Sequence, residues 1–164
     1  MNTSAHPPLT SAQKRVGTYL VQGLGNQEIA QKMGLAPSTV GGHIRNSGRR
    51  LGCPSGSPRA VIAHRLLAHR QVPPPPLPTH SRAFKASEDD RELISAHTTH
   101  VLLRDIAAAA LIPPADYRKR VTDLLHRAGA INPVHLVGLA HTLNILGSNT
   151  PTAAQVPKRT EAAR

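Results

Sequence analysis

Apolar residues recur every three or four positions in short stretches, and glycine, proline or asparagine separates one stretch from the next. This spacing is typical of short amphipathic helices, each with one face directed at a core. The first half of the chain has four such stretches. The predicted helices run from Thr10 to about Gln22, from Gln27 to Met33, from Pro37 to about Leu51, and from Ser57-Pro58 to about His69.

Residues at the ends of these stretches support the assignment. Thr10 and Gln13 have the spacing of a capping box, in which each side chain bonds to the other residue's backbone amide. Asn26 is a suitable N-cap for the second helix. Pro37 stands where proline is favoured, at the first position of a helix, and Gly52 is a suitable C-cap for the third.

A short helix, a three-residue turn and a longer helix form the helix-turn-helix arrangement, in which the second helix enters the major groove of DNA. Residues 9–68 resemble the LuxR-type helix-turn-helix domain in both order and spacing. The resemblance implies DNA binding and departs from the family pattern at Ala36, at Gly41-Gly42 and in the loop after Gly52. The matching residues are Leu9-Thr10, Gly23, Asn26, Glu28-Ile29-Ala30, Thr39-Val40, His43, Leu51-Gly52 and Ala60-Val61.

The second half repeats the first at a shift of 77 residues. Ser87 meets Thr10, Asp105-Ile106-Ala107 meets Glu28-Ile29-Ala30, and Asn132-Pro133 resembles the start of the fourth helix. Caps, turns and apolar positions agree over more than forty residues without a gap. We therefore interpret the second half as a diverged copy of the same domain, although two short helical segments can also align loosely by chance.

Prolines between Val72 and Pro78 predict an extended spacer, and the connection from Gln71 to Ala86 could span about 40 Å. The predicted fold is all-α, with two tandem four-helix helix-turn-helix domains joined by this proline-rich linker. The predicted organisation is a disordered tail at 1–8, a LuxR-type domain at 9–70, the linker at 71–85, the diverged domain at 86–147 and a disordered tail at 148–164.

Charge is distributed unevenly between the two halves. The chain carries a formal net charge of +11, which favours a polyanionic partner such as nucleic acid. Residues 1–82 hold ten Lys or Arg and a single acid, whereas residues 83–164 hold ten Lys or Arg and eight acids. If one half binds phosphates by bulk electrostatics, we expect it to be the first.

The third helix of the first half carries the predicted DNA-binding residues Thr39, His43, Arg45, Arg49 and Arg50. The resemblance implies that the position of Arg45 faces base edges, whereas those of Thr39 and His43 contact the backbone or support the helix. Arginine suits base reading because it can bond to a guanine edge through two nitrogens. A merely solvated arginine face is the alternative.

In the second half the equivalent positions carry Arg118, Lys119 and Thr122, which we also list as DNA-binding residues. Asp116 opposes this assignment because a carboxylate repels phosphate. Pro113-Pro114 opposes it too, because proline removes the amide donors at a helix start. Direct DNA contact and a structural or dimerising role both remain open for this copy.

The last helix, predicted from Val134 to Leu146, is apolar on nearly every side. A helix covered only by its own small domain needs a single apolar stripe, so this one should cover a further surface. Its predicted dimerisation residues are Leu136, Leu139, Leu143 and Leu146. The fourth helix of the first half is the natural internal partner, which would give a pseudo-dimer, and a second chain is the alternative, which would give a homodimer.

No catalytic or metal-binding constellation is found in the sequence, so we expect neither an enzyme nor a cofactor. Cys53 is the single cysteine, and His97 and His100 form a bare pair without further ligands at a motif spacing. No membrane span or signal peptide is predicted, which favours a cytoplasmic, nucleoid-associated protein.

The favoured function is sequence-specific binding of double-stranded DNA by a transcriptional regulator. The alternatives are a nucleoid or replicon-maintenance protein and an adaptor whose second domain binds a protein.

Overall fold

The computed structural model describes residues 7–146, so most of both predicted tails lies outside the described residues. Within that range all regular secondary structure is helical, with no β-strand, and the predicted all-α fold is confirmed. A short 3₁₀ helix, Thr79–Ala83, separates two groups of four. The α-helices are α1 Ser11–Val21, α2 Asn26–Met33, α3 Pro37–Arg50, α4 Arg59–Ala68, α5 Glu88–Thr99, α6 Leu103–Ala109, α7 Tyr117–Ala128 and α8 Pro133–Thr142.

A capping box begins the first helix of each group, α1 and α5. The Gln13 amide donates to Thr10 Oγ1 over 3.2 Å, and the Thr10 amide donates to Gln13 Oε1 over 3.0 Å. At the start of α5, the Asp90 amide donates to Ser87 Oγ over 3.2 Å while the Ser87 amide donates to Asp90 Oδ2 over 3.0 Å. Each box satisfies backbone donors that a helix start leaves without intrahelical partners.

The start of α2 differs from the prediction. Gly25, not Asn26, is the N-cap, and its amide donates to Glu28 Oε2 over 2.7 Å. Asn26 is the first helical residue, and its side chain bonds to Arg59 on α4 instead of capping α2. Arg59 on α4 thus binds the side-chain oxygen of Asn26 that the sequence predicts to cap α2.

Each group of four helices surrounds its own buried apolar cluster. Leu20, Ile29 and Leu66 are among the fully buried residues of the first cluster. The second cluster includes Leu93 and Leu124. The apolar faces that the sequence predicted are therefore the faces that meet at the two cores.

Helix α8 joins the two groups. Six consecutive residues, 135–140, are buried, which requires neighbours on more than one side of the helix. It packs against α4 and α1 of the first group as well as α5 and α7 of its own. Gly138 permits this close approach, because a Cβ there would overlap the carbonyl oxygen of Val21. The Asn132 side chain also donates to the carbonyl of Gly23 over 2.7 Å.

The proline-rich segment packs against the helices instead of extending freely across a gap. Val72 is 6% exposed and belongs to the first core, and Pro75 is also buried. Thr142 Oγ1 on α8 donates to the Pro75 carbonyl over 2.7 Å. The segment's apolar side chains are thus covered by the helix surfaces, and its role as a linker between two domains stays a prediction.

Helix α8 is also shorter than predicted. It ends at Thr142, with Leu143 as its C-cap and Asn144 in the left-handed region at φ 55°. Leu146 consequently lies beyond the helix, where it packs against the second core. The continuous apolar pattern concealed this end because residues after the helix are apolar too.

The turns that follow α2 and α6 each contain a residue in the left-handed region, but the residue types differ. Gly34 ends α2 with φ 66°, a conformation that glycine adopts without steric cost. Leu111, 77 positions later, has φ 54° and is 83% exposed. The second turn thus holds a leucine in a strained backbone conformation whose side chain contributes little burial.

We expect the substitution Leu111→Gly to raise the free energy of unfolding by about 1 kcal/mol, because it relieves left-handed strain at little cost in burial. Leu111→Ala is the matched control: it removes the same exposed side chain but keeps a Cβ, so it should bring no gain. Urea unfolding of the three proteins measures the difference. Equal stability of the glycine and alanine variants would show that the strain is absent.

Two histidines meet where α4 and α8 pack. His64 Nδ1 lies 3.0 Å from His141 Nε2, and the ring centroids are 5.1 Å apart. Burial, together with the nearby charges of His141, Arg65 and His69, lowers the pKa of His64 to about 4, and burial is the largest of these causes. Burial also lowers the pKa of His141. Both rings are therefore held in the neutral form, which allows one nitrogen to donate to the other.

This pair predicts a loss of stability in mild acid. Because the folded-state pKa of His64 is depressed below 6.5, its contribution is present above that pH and is lost as pH falls towards about 4. The substitution His64→Phe keeps a ring but cannot take up a proton, so the decline between pH 6.5 and 4 should become shallower. Urea unfolding at several pH values measures this slope. An unchanged slope would contradict the assignment to His64.

Candidate nucleic-acid interface

Helix α3 has one buried face and one exposed face. Val40 and Ile44, four residues apart, are buried in the first core. Thr39, Arg45 and Arg49 are exposed. This arrangement follows from helical periodicity, because residues one turn apart share a face. Three of the predicted DNA-binding residues are thus available to a partner.

The two remaining predicted residues of α3, His43 and Arg50, are half-buried. The carbonyl of His43 accepts a hydrogen bond from Ser47 Oγ over 2.9 Å. Arg50 Nη1 donates to the carbonyl of Pro8 over 2.6 Å, which ties the end of α3 to the chain before α1. Arg50 therefore has an internal role, and its assignment as a DNA contact stays a prediction.

Gly41 lies beneath the Arg45 side chain. A Cβ at Gly41 would lie 3.3 Å from Arg45 Nη1 and 3.3 Å from Asn26 Nδ2. At the neighbouring Gly42, by contrast, a Cβ would meet nothing within 4 Å. The two glycines are therefore not equivalent, although they are adjacent in the sequence.

Arg59, at the first position of α4, was not among the predicted site residues. Its Nη1 donates to Asn26 Oδ1 over 2.6 Å, and its Nη2 donates to the carbonyl of Leu24 over 2.7 Å. Burial lowers the pKa of this guanidinium below its ordinary value. The sequence around Arg59 does not indicate these two contacts, because both partners lie more than thirty residues away in the chain.

A groove of about 590 Å³ adjoins the exposed side of α3 near its end. Arg45 and Arg49 line it together with Cys53 and the loop 54–57, and none of the lining residues is acidic. Arg49 also donates to Asn46 Oδ1 within the groove. Cys53 is 8% exposed, and burial raises the pKa of its thiol. This side of the molecule therefore offers cations and small polar groups to an anionic partner.

The face of α7 has a different charge. Arg118, Lys119 and Thr122 are exposed, as a contact surface requires. A groove of about 570 Å³ beside α7 is lined by two cations, Lys119 and Arg120, and by four carboxylates. Arg120 lies 3.5 Å from one of those carboxylates. The acidic residues that line this groove are Asp89, Glu92, Asp116 and Asp123.

The predicted dimerisation residues fall into two groups. Leu136 and Leu139 are each 1% exposed, so the chain itself covers them. Leu143 and Leu146 are half-buried near the end of α8. Dimerisation through these leucines stays a prediction, and only the latter pair retains surface for a second chain.

Comparison with known families supports the predicted LuxR resemblance in the first half of the chain alone. The family model described as bacterial regulatory proteins, luxR family, matches residues 7–63, which span α1 to α3 and the first turn of α4. A LuxR-family helix-turn-helix domain is therefore present there, and the predicted resemblance is confirmed for this segment. No curated protein and no solved structure gives a significant match to the chain. The second copy stays a prediction.

Among residues 7–146, no helix has the length and apolar character that crossing a membrane requires. Within the same residues, histidine, cysteine, aspartate and glutamate side chains form no group of three or more that could hold a metal ion.

Proposed function

We propose that this protein binds double-stranded DNA sequence-specifically and regulates transcription, with α3 entering the major groove. The LuxR-family match at residues 7–63 supports duplex DNA as the partner. The single observation that carries the proposal is the exposed face of α3, where Arg45 and Arg49 border a groove lined by no acid. A helix of this kind can offer guanidinium groups to both base edges and phosphates.

The two arginines should have different roles. Arg45 lies one turn beyond Gly41, near the middle of α3, where a helix comes closest to the groove floor. Arg49 lies a further turn along, near the helix end, where the DNA backbone passes. We therefore assign Arg45 to base reading and Arg49 to phosphate contact. A protein with these roles shows sequence preference, whereas a nucleoid or replicon-maintenance protein binds most duplexes about equally.

The second half favours a different partner or a structural role. The groove beside α7 has four carboxylates against two cations, which makes phosphate approach unfavourable. This observation supports the adaptor alternative, in which α3 alone contacts DNA and the second half binds a protein. Arg118, Lys119 and Thr122 accordingly remain weaker candidates for DNA contact than the residues of α3.

We also propose that the two halves are tandem copies packed as an intramolecular pseudo-dimer. In a two-fold dimer, equivalent elements contact each other reciprocally. Helix α8 packs against α1 while α4 packs against α5, and α4 packs against α8 between them. His64 and His141, which are in contact, are 77 positions apart, the same shift that aligns the two halves. These pairings support a pseudo-two-fold axis between α4 and α8.

The rest of the proposal follows from the DNA-binding role. The protein would act without catalysis or a bound cofactor, and it would work in the cytoplasm, in association with the bacterial nucleoid. Its sign of regulation would depend on where its sites lie relative to promoters.

Selection from random duplexes should yield one preferred site, bound about 10³-fold more tightly than scrambled DNA. On that site, Arg45→Ala should relax base choice at one position at a cost of about 1–3 kcal/mol. Arg49→Ala should weaken binding to all duplexes about equally. Binding titrations on the selected and scrambled duplexes measure both effects. If each substitution weakens binding to the selected and the scrambled duplex by the same factor, Arg45 is not the residue that reads a base.

The pseudo-dimer predicts one chain per selected site, because α4 and α8 of the same chain already cover each other. Sedimentation with and without a duplex that carries a single site measures the stoichiometry. Two chains per site would overturn the pseudo-dimer if Leu143→Glu then abolished the second chain while the monomer stayed folded. That result would assign the half-buried end of α8 to a homodimer.

A further inference from the structure

We propose that the groove beside α7 is a docking site for a segment of another protein in which Lys or Arg residues flank a large apolar side chain. Leu111 contacts that apolar side chain, and the carboxylates of Glu92 and Asp116 pair with the flanking cations. The inference goes beyond DNA binding by α3. It rests on the proposal that the second half binds a protein, and it names the chemistry of that partner.

Four consecutive apolar residues, 110–113, line the groove. Ala110 and Ile112 are buried and belong to the second core, whereas Leu111 and Pro113 are exposed. Leu111 is 83% exposed, the largest fraction among the large apolar side chains of residues 7–146. Covering such a side chain with an apolar group of a partner removes apolar surface from water and favours association.

The turn that presents Leu111 is held by backbone hydrogen bonds. The Leu111 amide donates to the carbonyl of Ala108 over 3.1 Å, and the Ile112 amide donates to the carbonyl of Ala107 over 2.9 Å. The groove therefore has its shape before a partner arrives, which reduces the entropy that binding must spend on ordering it.

Folding alone does not account for a leucine in this turn. The φ of Leu111 is 54°, a left-handed conformation that favours glycine, and its exposed side chain recovers little free energy by burial. The turn after α2 has Gly34 in the same region, and the end of α2 exposes Gln31 and Lys32. The end of α6 instead exposes the alanines 108–109. The surface at the end of α6 is thus apolar, whereas that at the end of α2 is polar.

The charges of the groove favour a cationic partner. Among its lining residues, Arg120 pairs with Asp89 over 3.5 Å, which leaves three carboxylates against Lys119 alone. Glu92 and Asp116 are exposed, and neither belongs to an ion pair of the described residues. These carboxylates repel the phosphates of a nucleic acid or of a membrane surface, but they attract the Lys and Arg side chains of a protein segment.

The test selects peptides from a phage-displayed library of random 12-residue sequences on the immobilised full chain. We expect one class of recovered peptides to carry a large apolar side chain with Lys or Arg close to it on both sides. Fluorescence anisotropy measures the Kd of a synthetic member of that class. This Kd should increase with NaCl concentration, because salt screens exposed ion pairs.

Two matched pairs of variants locate the binding site. Leu111→Ala should weaken binding of that peptide by about tenfold, because an apolar anchor carries much of the affinity of such a contact. Leu103→Ala should leave it within about twofold, since Leu103 is also exposed on α6, at 58%, but does not line the groove. Glu92→Gln should weaken binding by about threefold, as expected for an exposed ion pair. Glu88→Gln, one turn earlier on α5 and outside the groove, should have no effect.

Recovery of no such class of peptides, or equal binding by wild type, Leu111→Ala and Leu103→Ala, would overturn the docking site. Sedimentation that shows self-association abolished by Leu111→Ala would also overturn it, because a second copy of this chain would then occupy the groove. Circular dichroism and thermal unfolding establish that all four variants are folded.

DNA binding is measured separately on the duplex that the wild type selects. All four variants should bind that duplex as tightly as wild type does, because none of the substitutions lies on α3. Failure to select any duplex would count against the regulator and not against the groove, so the two failures are distinguishable.

Discussion

The packing of α8 between two groups of helices is the contact on which the rest of the structure depends. It buries the continuous run 135–140, brings Gly138 against the backbone of α1, and pairs His64 with His141. The proline-rich segment completes this junction, because Pro75 is buried and bonded to Thr142. Burial of apolar surface on both sides of one helix thus joins two small cores that would each be marginal alone.

That junction leaves α3 on the outside, with its polar face exposed. The first half exposes cations beside a groove lined by no acid, whereas the second half places carboxylates around α7. The turns after α2 and α6 differ too, since Leu111 has a left-handed backbone in the second half, as Gly34 has in the first. Each half has four helices, and the exposed faces of α3 and α7 differ in their electrostatics.

Much of the site could be predicted because it depends on local signals. The resemblance to the LuxR-type domain implied that Thr39 and Arg45 contact DNA, and the structure exposes both residues together with Arg49 on α3. The partners that orient the site could not be predicted in the same way. Arg59 reaches Asn26 and Leu24 from more than thirty residues away, and nothing near it in the sequence marks that contact. The difference between Gly41 and Gly42 likewise depends on Asn26, which belongs to another helix.

The sequence by itself determined the helices, the capping boxes at Thr10 and Ser87, and the exposed arginines of α3, because each depends on residues within about one helical turn. Tertiary structure alone decided that the proline-rich segment packs against the helices and that α8 ends at Thr142. It also decided that Asn26 bonds to Arg59 instead of capping α2. Those outcomes depend on surfaces that meet only after folding, when a distant helix offers a better partner than the neighbouring residues do.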